Sequence, residues 1–387
     1  MTRRTNMKQL EEKDIQILYE INNFRFITME QFRMISQYGK SYVYEKSREY
    51  QRMGILKKSS LKGEIAEQRR KKHKIYLEVT QSGMNLIKKH GYRVTSTARE
   101  NASIRRERLL ALLQINDIAL NLLPYRWGFL DGRDTKRRYN TTIKNALLHG
   151  MLESPDKEKD YGLYMLMNKD NEKIVDVIKR QTPYIKNLTN YVIATRTAKS
   201  IPKVIEDLDS KKVLFHKKSL SRLHVGGKLC ILPKDFIPMY LPISKVIKEK
   251  HKMFIEALGF QILADMDNKN IVSKHRLSMH QFDYIVRNED YAEYKGEEFY
   301  LVDMLDNDLT KLRDVARYNG DSTYHDDARK VIVITSNQKF HKPIHELYLR
   351  GKYFIFLPIK LKGISHIVER LYPDIVLPER NLKKSNG

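Results

Sequence analysis

A chain of 387 residues, 41% hydrophobic and 31% charged, has length for two or three domains and enough apolar side chains for a core in each. Its formal net charge of +25 favours a polyanionic partner and counts against an ordinary small-ligand sensor. A single cysteine, Cys230, excludes a disulfide framework and a cysteine zinc site.

In chain order, the opening MTRRTNMKQLEEKD has no apolar signal core. No segment approaches the ~20 apolar residues that a membrane span needs. The expected polyanion is therefore nucleic acid rather than a membrane, and the expected compartment is the cytoplasm. DIQILYEI, from Asp14 to Ile21, sets Ile15, Leu18, Tyr19 and Ile21 at helical spacing. In TMEQFRMI, Thr28 is a predicted N-cap, and Gln31 stands at the capping-box offset. After Gly39, KSYVYEKSREYQRMGIL puts Val43, Tyr50 and Met53 on one face. Runs from Ile55 to Leu61 and from Lys74 to Val79 bracket the basic loop GEIAEQRRKKHK, and a last helix begins at Thr80. Helix, helix, helix, hairpin, helix is the order of a winged helix-turn-helix over residues 1–92.

On the third helix, Lys40, Ser41, Tyr42, Tyr44, Arg48 and Arg52 fall mostly off the apolar face. A recognition helix offers such side chains to bases and phosphates in a major groove. Arg69, Arg70, Lys71 and Lys72 form one run in the wing, enough to track a phosphate backbone. Alone, such a run reads equally well as a solvated loop; beside the helix-turn-helix order, contact with double-stranded DNA is the better reading. The first 110 residues hold 25 Lys and Arg against 12 Asp and Glu, so about half the positive excess sits at this end.

A polar linker is expected from Arg93 to Ser103, then one long helix from Ile104 to Leu123, apolar on more than one face. Such a helix serves as a connector or as a homodimer interface, and residues 93–130 are assigned to it. Trp127 reads as a packing anchor. The remainder reads as α/β, divided at 131–242 and 243–382, with a polar tail at 383–387. One unit runs strand YGLYMLM, helix EKIVDVIKRQTPYI, strand NYVIATRT, helix IPKVIEDL, strand KVLFH. The other runs strand FYLVDML, helix DLTKLRDVARY, strand RKVIVITS, helix IHELYL, strand KYFIFLPI, with a helix expected over 243–258 between them. Strands alternating with helices of this length predict parallel βαβ units. The shared order fits either an internal duplication or ordinary α/β alternation.

DIQILYEINNFRFITMEQFRMI, SREYQRMGILKKS, IYLEVTQSGMNLI and RRERLLALLQINDIALNLL resemble the front part of the plasmid replication-relaxation proteins of Gram-positive bacteria. The resemblance extends into residues 281–335. There the family pattern of Pro-Asp, a Glu-x-Asp strand end and a helix with Lys and Tyr is similar to a restriction-endonuclease-like core. Phe282-Asp283 stands at the Pro-Asp position, Asp303 at the strand end, and Lys311 and Tyr318 on the helix. Phe282 replaces the proline, and Leu305 replaces an acid. The resemblance implies a role in plasmid or mobile-element replication initiation, or in DNA relaxation and mobilisation, with host replication or mobilisation proteins as partners.

Metal-dependent nucleases set two carboxylates and a lysine around Mg²⁺ to activate a water and stabilise the leaving oxygen. Asp283 and Asp303 are the candidate ligands and Lys311 the candidate third catalytic residue, with Asp306 or Asp308 expected at the mouth. Mg²⁺ is implied only if this centre is active; the same acids read equally as strand caps on a degenerate scaffold. Glu293-Tyr294-Lys295 is an alternative acid-lysine pair that reads better as a turn with Gly296. The pairs His275/His280 and His341/His345 lack the His-x-His spacing of rolling-circle nickases, and Pro343 argues against a regular helix through the second. Tyr318 and Tyr324 are candidate nucleophiles for a nickase, but among 23 tyrosines the sequence singles out neither. HVGGKLC is not a phosphate-binding loop, since the first glycine is missing. Three readings follow: a DNA-binding replication initiator, a Mg²⁺-dependent site-specific nickase, and a transcriptional regulator with an α/β partner- or ligand-binding domain.

Overall fold

The computed structural model describes residues 10–61, 74–94, 104–140, 147–167, 172–209, 223–267, 282–290, 294–318, 329–336 and 341–375. It is a mixed α/β protein with a two-stranded sheet and two five-stranded sheets, and no described helix is long and apolar enough to cross a membrane. The chain divides into two compact units. The first is Met1–Asn121 with Phe129–Asn140 and Leu148–Met151, and the second is the rest. The boundaries expected at 92, 130 and 242 are thus displaced. The long helix joins the front module instead of standing apart, because its apolar residues find their partners there.

In the first unit α1 (Glu12–Phe24), α2 (Met29–Ser36) and α3 (Lys40–Arg52) precede the hairpin β1 (Leu56–Leu61) and β2 (Lys74–Val79), and α4 (Gln81–Lys89) follows. The hairpin is antiparallel, and Ile27 pairs with Leu77 as an additional rung. Thr28 caps α2 as the spacing predicts: its Oγ1 accepts the Gln31 N–H at 3.2 Å, and Gln31 Oε1 accepts the Thr28 N–H at 2.8 Å. Thr80 caps α4 in the same way through the Gly83 N–H. Gly83 is required by close approach, since a Cβ there would lie 2.4 Å from the Ile55 carbonyl oxygen.

The next helix, α5, spans Arg106–Leu122. Leu109, Leu112 and Leu113 pack with Phe26. Asn116 Nδ2 donates to the carbonyls of Phe24 and Phe26 at 3.0 and 2.7 Å, and Gln31 Nε2 donates to the Leu113 carbonyl at 2.7 Å. No residue from Arg108 to Leu122 is exposed. The expected burial is met for most of α5, whose residues from Arg108 to Leu122 are buried or half-buried.

Next come β3 (Gly128–Asp131), α6 (Gly132–Arg138), β4 (Gly150–Glu153), β5 (Asp160–Leu166), α7 (Glu172–Gln181), β6 (Asn190–Thr195), α8 (Ile201–Asp209) and β7 (Leu229–Pro233). The sheet order is β3-β4-β5-β6-β7, with β5, β6 and β7 parallel. The expected strand KVLFH lies outside the described residues; the third parallel strand is LCILP of β7. Its five residues are all buried, as a parallel strand covered on both faces requires. Trp127 is buried 5.9 Å from the Tyr161 ring and is a packing anchor as expected.

A short helix, α9 (Ile237–Tyr240), leads to α10 (Lys248–Glu256), which starts later than the helix expected over 243–258. Then follow β8 (Phe260–Asp265), β9 (Tyr284–Asn288), β10 (Glu298–Asp303), α11 (Leu309–Val315), β11 (Val331–Ser336), α12 (His341–Tyr348), β12 (Phe354–Ile359) and α13 (Leu361–Leu371). Here β8, β9 and β10 are an antiparallel meander, and β10, β11 and β12 are parallel. Both large sheets therefore run in sequence order and end in the same β-α-β-α-β arrangement. Each sheet also carries two further strands ahead of that arrangement. Pro343 sits in the first turn of α12, where its missing N–H has no intrahelical acceptor to lose, so the helix forms despite it.

Candidate nucleic-acid interface and buried acid–lysine cluster

The third helix separates its side chains by solvent exposure. Lys40, Ser41, Tyr42, Tyr44, Arg48 and Arg52 are exposed, whereas Val43, Lys46, Ser47 and Tyr50 are buried. Tyr42 and Tyr44 remain 44% and 47% exposed, unusual for aromatic side chains with a core beside them. The Tyr42 ring stands edge-on to Tyr38 at 4.8 Å, and Lys13 lies over Tyr38. Arg69, Arg70, Lys71 and Lys72 of the expected wing lie outside the described residues.

Sequence reading missed the polar clasp that holds this helix. Lys46 Nζ lies 3.1 Å from Asp14 Oδ1, and Tyr50 donates to the same oxygen at 2.6 Å. Burial pushes the Asp14 carboxyl up, but the hydrogen bonds from Tyr50 and Lys46 outweigh it and hold the group below its usual value. The Lys46 ammonium is pushed down by burial and raised more strongly by Asp14 and Glu49. The signal was present in spacing: Lys46 stands between Val43 and Tyr50 on the apolar face, where a lysine needs a buried partner.

In the second unit Asp283, Asp303 and Lys311 do come together. Asp283 immediately precedes β9, Asp303 ends β10 and Lys311 lies in the first turn of α11. Lys311 Nζ donates to both Asp283 oxygens at 3.1 and 2.9 Å and to the Asp303 carbonyl at 3.0 Å, using all three ammonium hydrogens. Asp283 Oδ2 also accepts the Asp303 N–H at 2.7 Å, and Lys245 Nζ lies 3.5 Å from Oδ1. Asp303 Oδ2 accepts from Tyr240 at 2.8 Å and from His251 Nε2 at 3.1 Å, while Oδ1 accepts the Leu305 N–H. The carboxylate thus requires the proton on His251 Nε2, and Tyr284 completes the chain at Nδ1, 2.9 Å away.

Every member of this network except Lys245 is buried. Burial pushes the Asp283 carboxyl up, but Lys311 and Lys245 beside it pull it well below the usual range. Asp303 is pushed up by burial and held low by His251. Lys311 is pushed down by burial and raised above its usual value by Asp283. The three groups form a charge-paired, saturated knot.

Mg²⁺ binding would need carboxylate oxygens free of strong donors and room for several waters. Neither is present: all four Asp283 and Asp303 oxygens already accept, and both residues are at most 2% exposed. The residues do not fit the metal. Among the described residues no group of three or more His, Cys, Asp or Glu is placed to hold an ion. The acids expected at a mouth are interior as well. Asp308 caps α11 and accepts the Leu229 N–H at 3.1 Å. Asp306 faces Lys228 at 3.5 Å, and burial raises its carboxyl above the usual value.

No family model matches the chain, and no curated protein matches it. The resemblance to replication-relaxation proteins rests on the quoted residues alone.

The remaining sequence candidates are structural or outside the described residues. Tyr318 lies beyond the end of α11 rather than on it, buried, with its hydroxyl donating to the Arg329 carbonyl at 2.7 Å. His345 is buried between Thr335 and Asn307 at 2.6 and 2.8 Å. Tyr294, Lys295 and Gly296 lie in the turn before β10, as expected, with Gly296 at φ +81°. Gly226, Gly227 and Lys228 precede β7, the reverse of a phosphate-binding loop, which follows a strand. Glu293, Tyr324, His275 and His280 lie outside the described residues.

Proposed function

We propose that this chain is a double-stranded DNA-binding protein of the winged helix-turn-helix kind, acting in plasmid or mobile-element replication initiation or DNA mobilisation. The observation that carries the reading is α3, whose outward face bears Lys40, Ser41, Tyr42, Tyr44, Arg48 and Arg52 while Lys46 and Tyr50 on its inward face are held by Asp14. The order helix, rung, helix, helix, hairpin supports it. So does the charge of +25, which supplies the phosphate-neutralising term of DNA affinity.

The antiparallel meander, crossover helix and parallel strand from β8 to β11 support a restriction-endonuclease-like scaffold for the rear sheet, and the two similar sheets support a duplicated one. The saturated acid–lysine knot favours a binding and partner-recruiting role over a nickase or a ligand-sensing regulator.

The test is DNA affinity measured by fluorescence anisotropy against salt. Replacing Arg48 and Arg52 with Ala is expected to weaken binding at least tenfold and to lower the salt slope by about two, with thermal stability unchanged. Equal affinity and slope in the variant would remove α3 as the interface.

A further inference from the structure

The outward face of α3 is not uniformly basic. Ser41, Glu45, Arg48 and Arg52 follow one another at intervals of four, three and four positions, so successive helical turns stack them in one line. That line is exposed throughout and runs opposite the buried Val43, Lys46 and Tyr50. At 100° per residue, Tyr42 and Tyr44 fall on its two flanks. Glu45 therefore sits within the surface that α3 would offer to DNA, not at its rim. A carboxylate in that place repels phosphates, and it has no hydrogen to donate to a phosphate oxygen.

Two observations set Glu45 apart from an ordinary solvated charge. The first is that it leaves its helical neighbour Arg48 unpaired. At the same offset and in the same order, Asp134 pairs with Arg137 at 3.0 Å and Asp314 with Arg317 at 3.4 Å, and Glu30 pairs with Arg33. Glu45 and Arg48 make no hydrogen bond or ion pair with any described residue. The next carboxylate along the helix, Glu49, is taken by Lys46 at 3.2 Å. The second observation is position. Glu45 is the sixth residue of α3, in the N-terminal half that meets base edges when a recognition helix lies in a major groove. Arg48 and Arg52 lie further along.

We propose that Glu45 is a specificity-determining residue of this face, accepting a hydrogen bond from the N4 amino group of a cytosine in the major groove. The inference rests on the reading of α3 as a DNA-binding helix. Only two groups donate from base edges in that groove, cytosine N4 and adenine N6. Adenine sets its N7 acceptor beside N6, which a carboxylate meets unfavourably, whereas the cytosine edge carries no acceptor. Guanine and thymine offer acceptors and no donor, so the same carboxylate rejects them. Arg48 and Arg52 neutralise neighbouring phosphates and so offset the repulsion that Glu45 brings to the interface. Affinity and specificity are divided along one line of side chains.

The test is selection of binding sites by the full chain from a pool of random-sequence duplexes, repeated with Glu45→Gln and Glu45→Ala. The side chain is exposed, so the melting temperature should be unchanged in both variants. The parent is expected to select sites that share one C·G pair. Glu45→Gln should move the preference there towards adenine, since an amide accepts from N6 and donates to N7. Glu45→Ala should accept all four bases at that position. On single duplexes, changing that cytosine to thymine should weaken the parent at least about fivefold and leave Glu45→Ala indifferent. The salt slope should be the same in all three proteins, because Glu45 neutralises no phosphate. A site preference shared by the parent and both variants overturns the inference, as does a parent that selects no base. So does an equal gain in affinity for every duplex in both variants, which marks a carboxylate that only repels phosphates. In each of those cases α3 still binds DNA and the reading of its function stands. A parent with no affinity for the pool sinks that reading, and the assignment of Glu45 with it.

Discussion

At Lys311 the difference between a catalytic and a structural lysine is visible atom by atom. Its ammonium has three hydrogens and three acceptors, all internal. Breaking such a buried pair from one side leaves Asp283 charged and uncompensated, which typically costs about 3–5 kcal/mol. Lys311→Met is therefore expected to lower urea-unfolding stability by that order, and removing both partners to recover part of the loss; a neutral Lys311→Met would contradict the knot. His149 gives a pH dependence. Its folded pKa is near 3, below the ordinary 6.5, so the unfolded chain takes up the proton first as pH falls. Stability is unaffected above about 6.5 and declines below it, by up to about 1.4 kcal/mol per pH unit, until the folded group titrates near 3. His149→Gln should flatten this acid limb; an identical limb in the variant would show that His149 does not set it.

The elements of the front module are held by caps and clasps that can be tested singly. Thr28 satisfies an N-terminal amide of α2, and its loss in Thr28→Ala should cost about 1 kcal/mol in denaturant unfolding without changing DNA affinity, since Thr28 is not on the outward face of α3. The capping box and the apolar spacing of α1 were legible in sequence because each is local, set by residues three or four positions apart, and the hairpin because its two apolar runs flank one loop. The Asp14–Lys46–Tyr50 clasp was not, because Asp14 lies 32 and 36 positions from Lys46 and Tyr50, which share one helix. Only their shared position on inward faces joins them.

For the whole molecule, the rear α/β architecture sets what the acids can do. Asp283 and Asp303 became candidates through the family resemblance, and the fold does bring them together with Lys311. Sequence spacing could not show that Tyr240, His251 and Lys245, from the segment before β8, would fill the same space and complete their coordination with protons instead of metal. Purified protein with supercoiled plasmid is accordingly expected to protect DNA without producing relaxed circles, with or without Mg²⁺. Mg²⁺-dependent relaxation abolished by Asp303→Ala would overturn this view of the knot.

The sequence by itself determined the order of the elements in the front module, the placement of half the positive excess at one end and the exposed side chains of α3. These depend on local propensity, periodicity and net charge, which need no knowledge of the fold. The tertiary structure decided that most of α5 is buried or half-buried, that the third parallel strand is β7, and that Asp283 and Asp303 are saturated. Those outcomes depend on which distant residues compete for the same donors, acceptors and apolar surface, and that competition exists only once the chain is folded.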